Sequence, residues 1–181
     1  MAGYAILGLF FVLEARLRQG EEAKSLQAGR SDAGTTRLLG LSYGISLVGA
    51  PLVARLDPGR IALHGVVGPA IMIAGLALRI WAASVLGRFY SRTLRVAGNH
   101  TLVQRGPYRI IRHPGYLGAV LMWAGFGLTT ASRLASVTVA ALMCWVYHRR
   151  IQAEEALLLE SLGEPYRDYL RTTWRWIPGL Y

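Results

Sequence analysis

The chain has one cysteine, Cys144, and one lysine, Lys24, against 19 arginines. A single cysteine excludes a disulfide scaffold. Charge of either sign is scarce: 17% of the 181 residues are charged, where a soluble domain carries about 25%. The nucleotide-binding patterns G-x-x-x-x-G-K and G-x-G-x-x-G and the metalloprotease pattern H-E-x-x-H do not occur. Four scattered histidines and one cysteine do not make a zinc site. No internal repeat or low-complexity tract is visible. Apolar residues are abundant, at 53% with a mean hydropathy of +0.33, which excludes a disordered chain. The length allows one domain, or at most two small ones. The net charge of +10 suits either nucleic acid or an anionic membrane surface, and the placement of the charges separates the two.

The charge-free stretches run from Met1 to Leu13, Leu38 to Ala54, Ile61 to Leu78 with an extension past Arg79 to Gly87, His113 to Ser132, and Leu134 to His148. A bilayer core about 30 Å thick takes about 20 apolar helical residues. Three stretches meet that length, while the first and last borrow flanking residues. The expectation is an all-α integral membrane protein with five transmembrane helices, at about 2–17, 38–56, 62–86, 115–131 and 134–150. A soluble globule of this size has no room to bury five such helices. The first apolar run has no basic residue before it and no small-residue cleavage site after it, so it reads as a retained helix and not a signal peptide.

Five spans place the loop 18–37, the segment 87–113 and the tail from 149 on one side. Sixteen of the twenty basic residues fall there, counting Arg16 at the end of the first helix, against three (Arg55, Arg60 and Arg133) on the other, with Arg79 inside a span. Basic excess marks the cytoplasmic side, so the N-terminus is expected outside and the long polar segments in the cytosol. Basic residues strung along membrane edges do not form the single patch that nucleic acid requires.

The 18–37 loop reads as a flexible connector, and Leu56-Asp57-Pro58-Gly59-Arg60 as a tight turn. Thr130 to Arg133 is short enough to make helices four and five an antiparallel hairpin. From Ala153 to Arg171, Leu157, Leu158, Leu162, Tyr166, Tyr169 and Leu170 recur at roughly helical spacing, which predicts a C-terminal amphipathic interfacial helix interrupted near Gly163 and Pro165. Trp174, Trp176 and Tyr181 suit an aromatic belt.

Two cytosolic segments are richer in special residues than a connector requires. His100 to Tyr116 holds two histidines, two tyrosines, three arginines and the stiff turns Gly106-Pro107 and Pro114-Gly115. Pro114 suits the first turn of helix four, where its missing N–H goes unused, and the N–H groups that remain there favour an anion. A basic juxtamembrane anchor is the plain alternative. In the second segment Arg150 and Glu154 are four apart and share a helix face. They read either as a surface ion pair worth under about 1 kcal/mol or as a polar pair that grips a zwitterion at the membrane edge. His64 reads as a packed or interfacial residue, Cys144 as packing, and His148 as either a site residue or a helix end. Arg79 is costly in lipid and should face protein, water or the interface.

Taken together, His100-Thr101-Leu102-Val103, Gly106-Pro107-Tyr108, Arg112-His113-Pro114-x-Tyr116-x-Gly118, Arg150-x-x-x-Glu154-Glu155 and Gly163-x-x-Tyr166-x-x-Tyr169 before Pro178 resemble the isoprenylcysteine carboxyl methyltransferase family of integral membrane enzymes, in its bacterial form. The resemblance covers about 75–178, the methyltransferase core of a single membrane domain 1–181; the N-terminal helices, 1–60, are unspecific.

The resemblance implies S-adenosylmethionine as cofactor, bound on the cytosolic face of a bacterial plasma membrane. It assigns His100, Thr101, Leu102, Val103, Tyr108, His113, Pro114, Gly115, Tyr116 and Glu154 to the cofactor, and Arg150 to the substrate, with Arg150 and Glu155 as the catalytic candidates. The implied reaction is carboxyl O-methylation of an isoprenylcysteine-like or other lipid-like acid. No metal and no nucleic acid are implied. A carboxylate nucleophile needs no general base, and Arg150 could orient it bidentately. An amine, phenol or thiol would need one, with Glu155, His148 and Tyr108 as candidates. The chain lacks the extra N-terminal helices of eukaryotic members, so a lipophilic small molecule or lipid entering from the bilayer is expected in place of a prenylated protein. A membrane NADPH-dependent lipid or steroid reductase, and a small transporter or structural membrane protein, are the competing readings.

Overall fold

In a computed structural model, the described residues are 2–17, 34–57, 61–87 and 102–179. They form six α-helices in chain order: α1 (Ala2–Leu17), α2 (Thr35–Leu56), α3 (His64–Leu86), α4 (Pro114–Thr129), α5 (Arg133–Leu162) and α6 (Glu164–Thr172). A 3-10 turn, Gly106–Arg109, precedes α4. The all-α expectation holds among these residues, where the only extended pairing is a single bridge, Ile111 to Trp174. Most of the 18–37 connector, the Pro58-Gly59-Arg60 part of the tight turn and Tyr181 lie outside the described residues.

The helix surfaces are apolar outward. In α2 the buried residues are Thr35, Ser42, Ser46 and Ala50, while Leu41, Ile45, Val48 and Leu52 are exposed. In α3 the bundle side carries Gly68, Gly75, Ala82 and Ala83, and Val66, Ile73 and Trp81 point away. Water would reverse this pattern; lipid permits it, because helix association in a bilayer rests on close packing of small residues and not on apolar burial. By length and composition α2 and α3 are long enough and apolar enough to cross a membrane.

Glycine sets the tightest helix contact. A Cβ on Gly75 would lie 2.5 Å from the Gly118 carbonyl oxygen, and a Cβ on Gly118 2.5 Å from that of Gly75. Two helical turns away, Gly68 and Gly125 approach almost as closely. The α3–α4 pair is the most extensive contact in the fold, with α5 against α4 and α2, and α1 against α3. Met72, Met122, Trp123, Phe126 and Met143 fill the centre.

The α4–α5 hairpin forms as expected. Ser132 caps α5 by accepting from the Ala135 N–H at 3.0 Å, and Asp57 accepts from the Ser132 hydroxyl at 2.6 Å and the Leu134 N–H at 3.0 Å. One boundary is corrected. Helix five does not end near residue 150; it runs unbroken to Leu162, because nothing from Arg149 to Leu162 breaks a helix. The break comes at Gly163, whose φ of 59° is the left-handed region that glycine enters freely. The amphipathic segment is therefore the end of α5 plus α6, and α6 turns Tyr166 and Tyr169 inward.

Candidate active site

α4 begins at its most constrained point. Pro114 is buried at its first position, and the His113 carbonyl accepts from the N–H groups of Tyr116 and Leu117, each at 3.1 Å. This cap fixes His113 and Tyr116 on the α5 side. Their rings stack, with centroids 5.6 Å apart and planes 6° from parallel. The Tyr116 hydroxyl donates to Glu154 Oε2 at 2.6 Å and accepts from Arg150 Nε at 3.2 Å. The two residues that the sequence placed on one helix face thus meet through a third, from another helix. Arg150 is buried, and its Nη1 donates to the Thr35 and Thr36 hydroxyls, each at 3.0 Å.

Glu155, one position on, meets the other nitrogen of the same His113 ring, whose Nδ1 lies 3.9 Å from Glu154 Oε2. Glu155 Oε1 lies 3.2 Å from His113 Nε2 and 3.1 Å from Arg112 Nε, and Arg175 Nη2 reaches Oε2 at 2.6 Å. Burial works against this carboxylate, but the hydrogen bond and charge of His113, and then of Arg175, outweigh it and hold it down to about 2. A carboxyl so acidic is a poor proton acceptor at neutral pH. Glu154 is the more open of the two, its side chain 28% exposed against 7% for Glu155.

Residues 173–175 lie alongside residues 110–113. The Trp174 N–H donates to the Ile110 carbonyl at 2.9 Å, and the Arg112 N–H to the Trp174 carbonyl at 2.8 Å. The Arg112 guanidinium also donates to the carbonyls of Leu170 and Thr173. The Tyr169 hydroxyl donates to the Tyr108 carbonyl at 2.7 Å. Burial pushes that hydroxyl above its ordinary range, so it stays a donor.

Of the residues singled out from sequence, His113, Tyr116, Arg150, Glu154 and Glu155 come together where α4 meets α5, while Pro114 begins α4 and Gly115 faces α3. Tyr108 is buried in the adjoining turn, and Leu102 and Val103 are half-buried. His100 and Thr101 lie outside the described residues. Sequence reasoning missed Thr35, Thr36 and Arg175, which touch Arg150 or Glu155 from more than twenty residues away or from a segment read as an aromatic belt. It also missed Glu14, which accepts from Arg79 Nε at 2.6 Å. An acid at the end of an apolar run was the one available signal for Glu14.

A family model for isoprenylcysteine carboxyl methyltransferases matches residues 68–160, a little over half of the chain. The chain belongs to this family. Its relatives include a probable protein-S-isoprenylcysteine O-methyltransferase of Oryza sativa subsp. indica, 28% identical over 63% of this chain and 61% of the relative. Another is the protein-S-isoprenylcysteine O-methyltransferase of Dictyostelium discoideum, 28% identical over 64% of this chain and 49% of the relative. A third is the cobalt-zinc-cadmium resistance protein CzcN of Cupriavidus metallidurans, 32% identical over 63% and 52%. The chain therefore spans about half to three-fifths of the length of these relatives. The structure of a eukaryotic intramembrane Ras methyltransferase, isoprenylcysteine carboxyl methyltransferase, superposes with a TM-score of 0.76 at 22% identity, covering 98% of this chain and 65% of that one. With the outward-apolar helices, this makes the family member in hand an all-α integral membrane protein. Membership implies a methyl donor.

Proposed function

We propose that this protein is an S-adenosylmethionine-dependent methyltransferase that esterifies a lipid-linked carboxylic acid, the isoprenylcysteine carboxylate named in its relatives being the type. The observation that carries the reading is the Tyr116 hydroxyl, which joins Glu154 to Arg150. It couples an open carboxylate suited to an ammonium group with a guanidinium suited to a carboxylate.

The donor set fits the cofactor. Glu154 would accept from the ammonium of the cofactor's amino acid moiety, beside the stacked His113 and Tyr116 rings. Leu102 and Val103 supply apolar surface of the kind adenine prefers. S-adenosylmethionine supplies a methyl group already activated on a sulfonium.

The rest falls to this chain's own residues. Arg150, its plane set by the Tyr116, Thr35 and Thr36 hydroxyls, orients the substrate carboxylate. That carboxylate is ionised at neutral pH and needs no base. Glu155, engaged with His113, Arg112 and Arg175, holds His113 in place and anchors the tail. Holding the nucleophile in line and excluding water supply the rate.

Isothermal titration of the detergent-purified protein with S-adenosylhomocysteine tests the reading. Binding supports it; no binding, with NADPH bound instead, replaces it with a reductase. Transfer of radiolabelled methyl groups to membrane lipid extracts identifies the acceptor, and base-labile product identifies an ester.

The topology belongs to the same proposal: five spans, N-terminus outside, with the site at the cytoplasmic face of a bacterial plasma membrane. Alkaline phosphatase fused after residue 59 should be active and fused at the C-terminus inactive. The opposite result inverts the orientation.

A further inference from the structure

Beyond the α4–α5 contact, the structure holds a second buried charged group. Glu14 on α1 and Arg79 on α3 are both almost fully buried within helices of the bundle. Arg79 Nε donates to Glu14 Oε1 at 2.6 Å, and the Phe10 ring lies under the guanidinium, 5.5 Å from its carbon. Charged side chains in such a place are costly and are retained where they do a task. Holding α1 against α3 is one task, yet Leu7 and Phe10 already seat α1 in the core, and the guanidinium reaches further than α1. Its Nη1 donates to the Gly115 carbonyl at 2.8 Å.

Gly115 follows Pro114 in the first turn of α4, between His113 and Tyr116. Gly115 and Gly118, three apart, share the face of α4 that meets α3, and Arg79 packs directly on Gly118. Tyr116 looks the other way, to α5. The rotation of this turn therefore decides where the His113 and Tyr116 rings sit, and from the α3 side Arg79 hydrogen-bonds to its backbone.

We infer that Arg79, oriented by Glu14, is a positioning residue that fixes the first turn of α4 and so makes the N-terminal helix α1 part of the active site. This rests on the reading of His113, Tyr116 and Glu154 as the cofactor site. Glu14 lies outside the residues that the family model matches, so the function would depend on a helix that the motifs do not cover.

The test compares the full chain with Arg79→Met, Arg79→Lys, Glu14→Gln, Glu14→Asp and Leu7→Ala. The last loosens α1 in the core without touching the pair. Amide hydrogen exchange of the ligand-free protein reads the turn directly. The 113–118 peptide should exchange faster in Arg79→Met and Glu14→Gln than in Leu7→Ala at equal loss of thermal stability. S-adenosylhomocysteine affinity should fall about tenfold or more in the first two, stay near wild type in Leu7→Ala, and recover in part in Glu14→Asp. Arg79→Lys, which has no fork to span two partners, should fall between. Exchange and affinity that simply follow melting temperature across all variants, Leu7→Ala included, overturn the inference. A wild-type protein that binds no S-adenosylhomocysteine removes the methyltransferase reading by itself, while the exchange comparison still decides whether the pair holds the turn.

Discussion

Arg175 Nη2 meets Glu155 Oε2 at 2.6 Å, which ties the segment after the last helix to the C-terminal third of α5. The bond explains how two residues that the sequence gives no reason to pair close the rear of the His113 site. Arg112 and His113 share the same carboxylate, so it serves three partners from two other parts of the chain.

Removing that carboxylate should be costly. Glu155→Gln leaves Arg112 and Arg175 around a neutral amide, and breaking a buried pair on one side costs about 3 kcal/mol or more. A lowered melting temperature in detergent, with more ready proteolysis after Thr172, is the expected result. An unchanged melt would mean that the tail is held by its backbone bonds alone.

The same carboxylate sets an acid limit. Glu155 is held at about 2 in the fold, below the ordinary carboxylate value of about 4.3. A depressed group stabilises the fold fully above its unfolded value, and the contribution fades as pH falls toward the folded value. The difference in melting temperature between wild type and Glu155→Gln should be constant from pH 7 to about pH 5 and shrink from there toward pH 2. A difference that grows on acidification would contradict the assignment.

Tyr116→Phe removes one hydroxyl and leaves Glu154 and Arg150 each short of a partner. A hydrogen bond to a charged group is worth about 1.5–3 kcal/mol, and without it Glu154 is no longer held toward the ammonium it is proposed to bind, so S-adenosylhomocysteine affinity should weaken roughly 10- to 100-fold. The ring and its stack on His113 remain, so the protein should still fold, with a melting temperature a few degrees lower. Titration calorimetry beside a thermal melt separates the two effects.

Arg150→Lys keeps the charge and loses the planar fork. Turnover of a carboxylate substrate should fall far more than cofactor affinity. Equal losses would place Arg150 in the cofactor site.

Gly118→Ala should destabilise the fold more than an ordinary surface change. Its Cβ would meet the Gly75 carbonyl oxygen at 2.5 Å and the Arg79 backbone nitrogen at 2.9 Å. Those are backbone atoms that cannot rotate away, so α3 and α4 must separate. Overpacking of this kind costs about 1–3 kcal/mol. Gly44→Ala on α2, where nothing lies within 4 Å, is the neutral control.

Much of this was legible in the residues themselves. Charge-free runs marked the helices because lipid excludes charge over a fixed thickness, a property that acts on each stretch by itself. Pro114, Gly163 and the short Thr130–Arg133 link acted locally through fixed φ, permitted positive φ and limited reach, so their consequences appeared where expected. The end of helix five was misplaced because the charge-free run was taken as the helix, although a helix continues into water wherever nothing breaks it. Spacing put Arg150 and Glu154 on one face, and that too was correct.

What spacing could not supply was the rotation of one helix against another. Tyr116 stands between Arg150 and Glu154 because α4 and α5 pack at that depth, and Thr35 reaches Arg150 because α2 lies on α5. Glu14 finds Arg79 because α1 packs on α3, and Arg79 finds Gly115 because glycines let α3 and α4 approach until their backbones touch. The sequence determined a helical membrane chain and singled out the polar residues that gather at the α4–α5 contact, because hydropathy, turn chemistry and helical spacing are local. The tertiary structure alone decided which of those residues meet, because hydrogen bonds and ion pairs act only over about 3 Å, a distance that helix packing sets.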